Sequence, residues 1–262
     1  MPPRPYRVDD MQKTALTIPC YNEEKRLFPE GYKQFLAQNP AVDLIFVDDG
    51  SADATYSTME AIAAANPGRV FALRQPVNAG KAEAVRRGVC EAFEKGYHNA
   101  GFWDADNSAP LRLVRYLIAD LEHKNVEMVM GSRVNMLGKR ICRSHLRHYM
   151  GRLFATIASS ILRLQVYDTQ CGAKVFRNSR VMRQVFSTPF STGWTFDLEV
   201  IARAVLANRE TEPGTPADRL IIEHPLDEWV DVAGSKLKPS HMFRIGLDLL
   251  RIYAIYHKKI RP

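Results

Sequence analysis

Short apolar runs alternate with longer amphipathic segments through the first half of the chain, and this alternation constrains the fold more than any other feature. The runs have the length and β-branched composition of buried strands, and they cover residues 15–18, 43–47, 70–73, 101–103 and 126–130. The segments between them have the length of ordinary globular helices and cover residues 24–38, 54–65, 81–95 and 111–123. This βαβ repetition predicts an α/β fold with a mainly parallel sheet flanked by helices.

The alternation stops after Arg133. Two later segments, 145–164 and 242–257, have the spacing of amphipathic helices with basic faces, and residues 196–207 are predicted as a third helix. Residues 208–218, which include two prolines, predict a loop that is too short to link domains. Because 46% of the 262 residues are apolar, we expect one large domain with a full core.

Acidic residues follow the predicted strand that ends at Trp103. In parallel α/β sheets the ligand binds beyond the carboxyl ends of the strands. Asp104 and Asp106 lie there, and two carboxylates one residue apart can converge on one hard cation, which would then clamp a diphosphate. The alternative is that both are ordinary turn residues, since Asp is common in turns.

A second acidic pair, Asp48 and Asp49, follows the second predicted strand, where a carboxylate can accept hydrogen bonds from ribose hydroxyls or a base N–H. Gly50 permits a tight turn and Asp53 can cap the next helix, but these roles do not explain two adjacent acids. Lys81, at a predicted helix start, can reach a phosphate. The sequence contains neither GxGxxG nor GxxxxGK[ST], which counts against dinucleotide oxidoreductases and P-loop NTPases.

The net charge of +7 is concentrated in one segment. Residues 133–183 hold eleven Lys or Arg and one acid, Asp168, so the rest of the chain is slightly acidic. This segment predicts an anionic partner, either nucleic acid, lipid headgroups or a phosphorylated substrate. The alternative is a solvated surface without a partner. No zinc finger, RNA-recognition signature or helix-turn-helix is recognisable, which disfavours nucleic acid.

The cysteines and the hydropathy pattern bear on the compartment. Four widely spaced cysteines form neither a CxxC pair nor a disulfide framework, which favours a reducing cytoplasm. The N-terminus has no apolar signal region, and the longest mostly apolar stretch, 153–162, is too short to span a bilayer. We therefore expect a cytoplasmic protein that is at most peripheral on the cytoplasmic face of a membrane.

Five motifs occur in the order and spacing of family 2 glycosyltransferases: PCYNEE, VDDGSADAT, NAGKAEAVRRG, DADNSAP and GSR. In the second half, RSHLR, YDTQCGAKVF, GWTFDLE and DEWVDVAGSKL resemble the dolichyl-phosphate glucosyltransferase and bacterial polyprenyl-phosphate glycosyltransferase branch. The resemblance implies a hexosyltransferase with the GT-A fold, a Rossmann-like fold of nucleotide-diphospho-sugar transferases. It also implies a single domain over residues 1–262, with a nucleotide-binding half at about 12–133 and a basic, acceptor-binding half at about 134–262.

The resemblance also implies a role for each residue at a matching position. The donor-binding positions are Pro19, Tyr21, Glu23, Val47 and Asp49 for the nucleoside, Asp104 and Asp106 for Mg²⁺ or Mn²⁺ with Ala105 between them, and Arg133 and Lys236 for the diphosphate. Arg143 and Arg147 match less closely, as further phosphate contacts. Ser108 stands where the mannosyl branch carries a Gln beside the metal, which disfavours mannose, and the resemblance favours UDP-glucose as donor.

No covalent nucleophile is evident, so we expect a single in-line displacement that inverts the anomeric carbon, with Asp106 and Arg133 stabilising the departing diphosphate. A polyprenyl phosphate acceptor has a second pKa of about 6 and needs no base. A glycan or small-molecule hydroxyl needs one. Asp197 is the candidate base, although it alternatively caps or pairs within a helix. The first acceptor explains the basic segment, and the second explains the lack of the spanning segments that are common in similar proteins.

Two segments, 139–164 and 242–259, combine apolar side chains with Arg and Lys on other faces. The apolar residues are Leu153, Phe154, Ile157, Ile161, Phe243, Leu247, Leu250 and Tyr253. Such helices can lie in a membrane interface without spanning it, which predicts reversible binding to anionic membranes. The alternative is that the apolar residues pack on the sheet.

Overall fold

The computed structural model describes residues 11–142, 144–211, 213, 215–231 and 239–260. In these ranges the chain forms a seven-stranded sheet with helices on both faces and a separate pair of short strands. The α/β class predicted from the alternation is therefore confirmed.

The strands are β1 (Thr14–Cys20), β2 (Val42–Asp48), β3 (Val70–Arg74), β4 (Asn99–Trp103), β5 (Met128–Ser132), β6 (Arg140–Cys142), β7 (Ala173–Arg177), β8 (Ile221–Pro225) and β9 (Glu228–Val230). The large sheet has the order β3-β2-β1-β4-β7-β5-β8. Every neighbouring pair in it is parallel except those made by β7, which runs antiparallel to both β4 and β5. The sheet is thus mainly parallel, as predicted.

The helices are α1 (Pro29–Gln38), α2 (Thr55–Ala65), α3 (Lys81–Glu94), α4 (Val114–His123), α5 (His145–Leu162), α6 (Arg180–Phe186), α7 (Phe196–Thr211) and α8 (Pro239–Ile260). One 3₁₀ turn, Leu111–Leu113, leads into α4. The helix predicted from residue 24 begins only at Pro29, because proline suits the first helical position and keeps the preceding Phe28 extended.

The prediction that the alternation ends after Arg133 is wrong, because β7 and β8 both join the large sheet. The sequence of β7 is AKVFR, in which Lys174 and Arg177 interrupt the apolar run, and β8 carries Glu223 and His224. The predicted loop at 208–218 is also shorter than expected, because α7 continues to Thr211. The strands β7 and β8 were not predicted because their charged residues, which have partners only in the folded protein, break the apolar pattern.

Successive residues of the central strands feed two separate cores. In β2, Ile45 belongs to the core that includes α3 and α7 on one face of the sheet, and Phe46 belongs to the core that includes α1 and α4 on the other. The Phe46 ring meets Tyr32 of α1 edge-on at 4.9 Å between centroids. Because both faces are covered, the ligand-binding residues must lie at an edge of the sheet.

The short strands β6 and β9 pair in parallel beside this edge. The Val230 amide at the end of β9 donates a 2.9 Å hydrogen bond to the Ser108 carbonyl, which ties the pair to the loop after β4. Among the described residues, no helix is both long and apolar enough to cross a bilayer.

Candidate active site

The carboxyl ends of β1, β2 and β4, with the loops that follow them, form the donor edge. Pro19 of β1 lies opposite Val47 of β2 in the parallel register. The loops after these strands are joined as well, since the Glu23 amide donates to Thr55 Oγ1 at 2.7 Å. The fold therefore brings together the residues predicted to hold a nucleoside.

Side chains at the donor edge differ in what they offer a ligand. Tyr21 is 50% exposed, so its ring is accessible for stacking. Val47 is fully buried in the core on the α3 face, and Ala105 is buried in the core on the other face. Neither side chain is accessible to a ligand, so the predicted contacts of Val47 and Ala105 with the donor stay predictions.

Glu23 connects the loop after β1 electrostatically with the loop after β4. Its carboxylate pairs with Arg26 at 2.9 Å. Burial raises the pKa of Glu23 against the opposing effect of Arg26, and the nearby charges of Asp106 and Asp104 add to the rise. Glu23 is therefore electrostatically coupled to both acidic residues of the loop after β4.

Asp49 holds the loop that leads into α3. Its Oδ1 accepts hydrogen bonds from Gln75 Nε2 and the Ala79 amide, both at 2.7 Å, and its Oδ2 accepts one from the Gly80 amide at 2.9 Å. Burial raises the pKa of this carboxyl, and the two backbone donors oppose the rise. The predicted nucleoside contact of Asp49 stays a prediction, and the structure adds a second role in placing the loop before Lys81.

Asp104 sits in a recess that only glycine leaves open. Its amide donates to the Gly172 carbonyl at 2.9 Å. A Cβ built on Gly172 would lie 1.9 Å from Asp104 Oδ2, so any larger residue would displace the carboxylate. Lys81 Nζ forms an ion pair with Asp104 Oδ1 at 2.5 Å. The first carboxylate of the DAD sequence is therefore fixed from both sides.

Asp106 completes a tight turn. Its Oδ1 accepts a 2.9 Å hydrogen bond from the Ser108 amide, and Asn107 between them has φ of 55°, in the left-handed region that Asn tolerates. The turn fixes the Asp106 backbone two residues after Asp104. The structural reading of Asp106 as a turn residue and its predicted metal role are thus compatible.

The two carboxylates fit a divalent cation as a partial site. In the described part of the chain, no group of three or more His, Cys, Asp or Glu could hold a metal alone. The donors are hard oxygens, and Asp104 Oδ1 has no partner besides the Lys81 ammonium among the described residues. A cation such as Mg²⁺ takes about six oxygen ligands. Most of its ligands must therefore come from a bound donor and water.

Arg133 follows β5 and is held by Asp168, the single acid of the basic segment. Arg133 Nε and Nη2 donate to Asp168 Oδ2 and Oδ1 at 2.6 and 2.7 Å, and the Arg133 amide adds a third bond at 3.0 Å. The guanidinium also lies over the Trp229 ring, 4.8 Å from its centroid. Although burial opposes it, the Asp168 charge raises the pKa of Arg133, so the group is a fixed cation.

A buried pair that the sequence did not predict lies behind Asp104. Lys174 of β7 is completely buried, and its Nζ contacts Asp197 Oδ1 at 2.6 Å and the Cys171 carbonyl at 2.5 Å. Burial raises the pKa of Asp197, and the charges of Lys174 and Lys81 oppose the rise. Asp197 therefore forms an ion pair inside the fold, in line with the structural alternative to its predicted role as a base. A lysine inside an apolar strand was the one sequence signal for this pair.

Three predicted phosphate contacts fall outside what the structure describes. Lys236 and Arg143 lie outside the described residues. Arg147 belongs to α5, but its side chain is outside the described part. Their roles stay predictions.

A second surface is formed by outward-facing side chains of α5 and α8, two helices that pack against each other. We call it the α5–α8 face; its exposed apolar residues are Tyr149, Leu153, Ile157, Phe243, Leu247, Leu250 and Tyr253. The opposite side of α8 is buried through Ile252, Tyr256 and Ile260. One stripe of each helix therefore belongs to the core that includes α7, and the other stripe meets solvent.

Comparison with known proteins gives consistent results. The family model of glycosyl transferase family 2 matches residues 16–184. A dolichyl-phosphate beta-glucosyltransferase of Trichomonas vaginalis is 30% identical over 94% of this chain and 72% of its own length. A polyprenol monophosphomannose synthase of Mycolicibacterium smegmatis is 28% identical over 77% of this chain and 75% of its own.

Solved structures support the fold assignment. Glucosyl-3-phosphoglycerate synthase from Mycobacterium tuberculosis, in complex with Mn²⁺, UDP-glucose and phosphoglyceric acid, superposes with a TM-score of 0.64. The match covers 96% of this chain and 85% of that protein at 16% identity. The GT-A fold predicted from the motifs is therefore confirmed.

Proposed function

The chain belongs to glycosyl transferase family 2 and is a glycosyltransferase, and on this premise we propose that it transfers glucose from UDP-glucose to a polyprenyl phosphate at a membrane surface. The observation that carries the acceptor assignment is the α5–α8 face, where large apolar side chains are exposed on basic helices. Similarity to a dolichyl-phosphate glucosyltransferase over nearly the whole chain supports the same acceptor class.

For the donor, we propose that Asp104 and Asp106 hold Mg²⁺ or Mn²⁺. When bound, the cation neutralises the charge that develops on the departing diphosphate. Arg133 is already oriented by Asp168, so the guanidinium N–H donors that Asp168 does not use meet the diphosphate without further ordering. We further propose that the exposed ring of Tyr21 contacts the nucleoside, together with Asp49 in the neighbouring loop.

For the acceptor, a phosphate monoester needs no general base, because it is largely ionised at neutral pH. This fits the position of Asp197, whose carboxylate is buried and paired with Lys174. A hydroxyl acceptor would need a base. The pairing of Asp197 therefore favours the phosphate.

We propose that the α5–α8 face docks on an anionic lipid surface on the cytoplasmic side of a membrane. The described part of α8 carries Arg244, Arg251, Lys258 and Lys259 against one acid, Asp248. Each basic residue near anionic lipid contributes about 1 kcal/mol. The occupant we assign to the face is thus the membrane that holds the lipid acceptor, and residues 134–262 form the acceptor half of a single domain.

The test uses the full chain, UDP-glucose labelled in the sugar and Mn²⁺. One reaction contains undecaprenyl phosphate in phosphatidylglycerol vesicles, and a parallel reaction contains glycerol or 3-phosphoglycerate as a soluble hydroxyl acceptor. We expect labelled lipid only in the first reaction and much less with GDP-mannose. Label confined to the soluble acceptor would instead support the alternative of a hydroxyl-directed transferase.

A further inference from the structure

Four charged side chains form a neutral cluster beneath the donor edge. Lys81 pairs with Asp104, and Lys174 pairs with Asp197, at 2.5 and 2.6 Å. Both ammonium groups lie over the Phe102 ring, 5.6 and 5.1 Å from its centroid. The two ion pairs are thus neighbours across one aromatic ring.

The position of Lys81 is determined by the backbone. It is the first residue of α3, and the two preceding amides, those of Ala79 and Gly80, donate to the Asp49 carboxylate. Gly80 has φ of 92°, a conformation that favours glycine, and it turns the chain into the helix. The Lys81 side chain therefore starts from a fixed point that faces Asp104.

Asp104 has equally little freedom to leave Lys81. Its amide is bound to the Gly172 carbonyl, and its Oδ2 fills the space beside the Gly172 Cα. Lys174 in turn binds the carbonyl of Cys171, the residue before that glycine. The buried Lys174–Asp197 pair thereby holds the recess in which the Asp104 carboxylate lies.

A divalent cation at Asp104 must compete with the ammonium for the same carboxylate. Two positive charges at ligand distance from one oxygen repel each other. The Lys81 side chain is 41% exposed, so the ammonium has space to swing towards a phosphate at the donor edge.

We propose that Lys81 is a resident counter-ion of Asp104, which keeps the carboxylate pair poorly occupied by metal until a nucleoside diphosphate arrives. The donor then gives the ammonium a new anionic partner, and Asp104 becomes available to the cation. The proposal rests on the donor site assigned above. On this proposal the binding of the metal and the binding of the donor are coupled, since each favours the other.

The test measures Mn²⁺ affinity by the electron paramagnetic resonance signal of the free ion, with no donor present. Lys81→Gln should bind Mn²⁺ on the order of tenfold more tightly than the wild type, because the competing charge is gone. Lys81→Arg keeps the charge and should stay weak. Asp104→Asn added to Lys81→Gln should remove the gain.

Lys95→Gln is the matched control, because it removes the same charge just beyond the other end of α3, about 20 Å away at 1.5 Å per residue. It should leave Mn²⁺ affinity unchanged. Addition of UDP should raise the Mn²⁺ affinity of the wild type by a larger factor than that of Lys81→Gln, since only the wild type has an ammonium to displace.

The outcomes separate the two proposals. Equal Mn²⁺ affinities in the wild type and Lys81→Gln, with Asp104-dependent binding intact, would refute the counter-ion role and leave the donor site standing. Absence of Mn²⁺ binding in every variant, even with UDP, would overturn both. The choice of acceptor does not enter, because no transfer is measured.

Discussion

The donor edge and the α5–α8 face differ in how far their side chains are satisfied by the rest of the protein. At the donor edge the charged groups are already partnered, as Asp49 is by backbone amides, Asp104 by Lys81 and Arg133 by Asp168. On the α5–α8 face the apolar side chains are unusually exposed, with Phe243 at 69% and Leu250 at 67%. The contrast indicates that the protein itself orders its donor side, whereas the apolar side chains of the α5–α8 face would be covered only by the proposed membrane contact.

The largest effect should come from Asp106→Asn, which tests whether the donor edge is a metal site or only an ordered turn. Asparagine keeps an oxygen for the Ser108 amide, so the turn and the melting temperature should be preserved, while turnover falls by at least about 10²-fold. UDP release with Mn²⁺ measures it. Glu30→Gln, in an exposed pair on α1, is the control. Full activity in Asp106→Asn would reduce the site to a turn.

Lys174→Met tests the order beneath the donor edge. It leaves the Asp197 carboxylate buried without its cation, so the free energy of unfolding in urea should fall by about 3–5 kcal/mol. The double variant Lys174→Met/Asp197→Leu removes both charges and should recover most of the loss. A single variant as stable as the wild type would contradict a buried ionic pair.

Glu199→Gln probes how α8 is fastened to the rest of the fold. The buried Glu199 accepts hydrogen bonds from Ser191, Arg203 and Tyr256 of α8. Although burial opposes it, these partners lower the pKa of Glu199, starting with the Ser191 donors. The resulting stability is complete above the ordinary glutamate pKa and is lost as pH falls through the lower folded value.

Glu199→Gln should therefore cost about 1–3 kcal/mol at neutral pH and flatten the loss of stability on the acid side. Urea titrations between about pH 3 and 7 measure both effects. An acid limb as steep as that of the wild type would show that other carboxylates dominate it.

The smallest effect should come from the α5–α8 face, and it decides whether that face needs a partner. Phe243→Glu should weaken flotation with phosphatidylglycerol vesicles by at least about tenfold, since a buried aromatic contributes roughly 1.5–3 kcal/mol. Phe28→Glu alters another largely exposed ring, beside α1, and should leave flotation unchanged. Binding should also weaken at high salt. Equal loss in both variants would remove the lipid assignment.

The first half of the fold could be predicted closely because its information is local. The five predicted strands match β1 to β5 within two residues at each end, since buried parallel strands are continuous apolar runs. Once these strands are predicted, the loops after β1, β2 and β4 follow as candidate site loops, because ligands bind at the carboxyl ends of parallel strands.

The rest could not be predicted because its information is long-range. Arg133 and Asp168 are 35 residues apart, and Lys174 and Asp197 are separated in the sequence by α6 and the loops on either side of it. Each of these charges looks like a surface residue in the sequence and becomes buried only beside its partner. Val47 shows the reverse case, since a position at the ligand edge has a side chain that points into the core.

The antiparallel strand β7 has a consequence for how the chain can be divided. In the described part of the chain β5 is bonded to β7 and β8, and β4 reaches β5 only through β7. A fragment that ended at Ser132 would therefore carry a detached strand and an open edge on β4 where Ala173–Arg177 belongs. Such a fragment would also lack Gly172, which lies against the Asp104 carboxylate and forms part of its recess. The proposed nucleotide-binding half is therefore not an independent folding unit, because its sheet is completed only when β7 of the second half is inserted between β4 and β5.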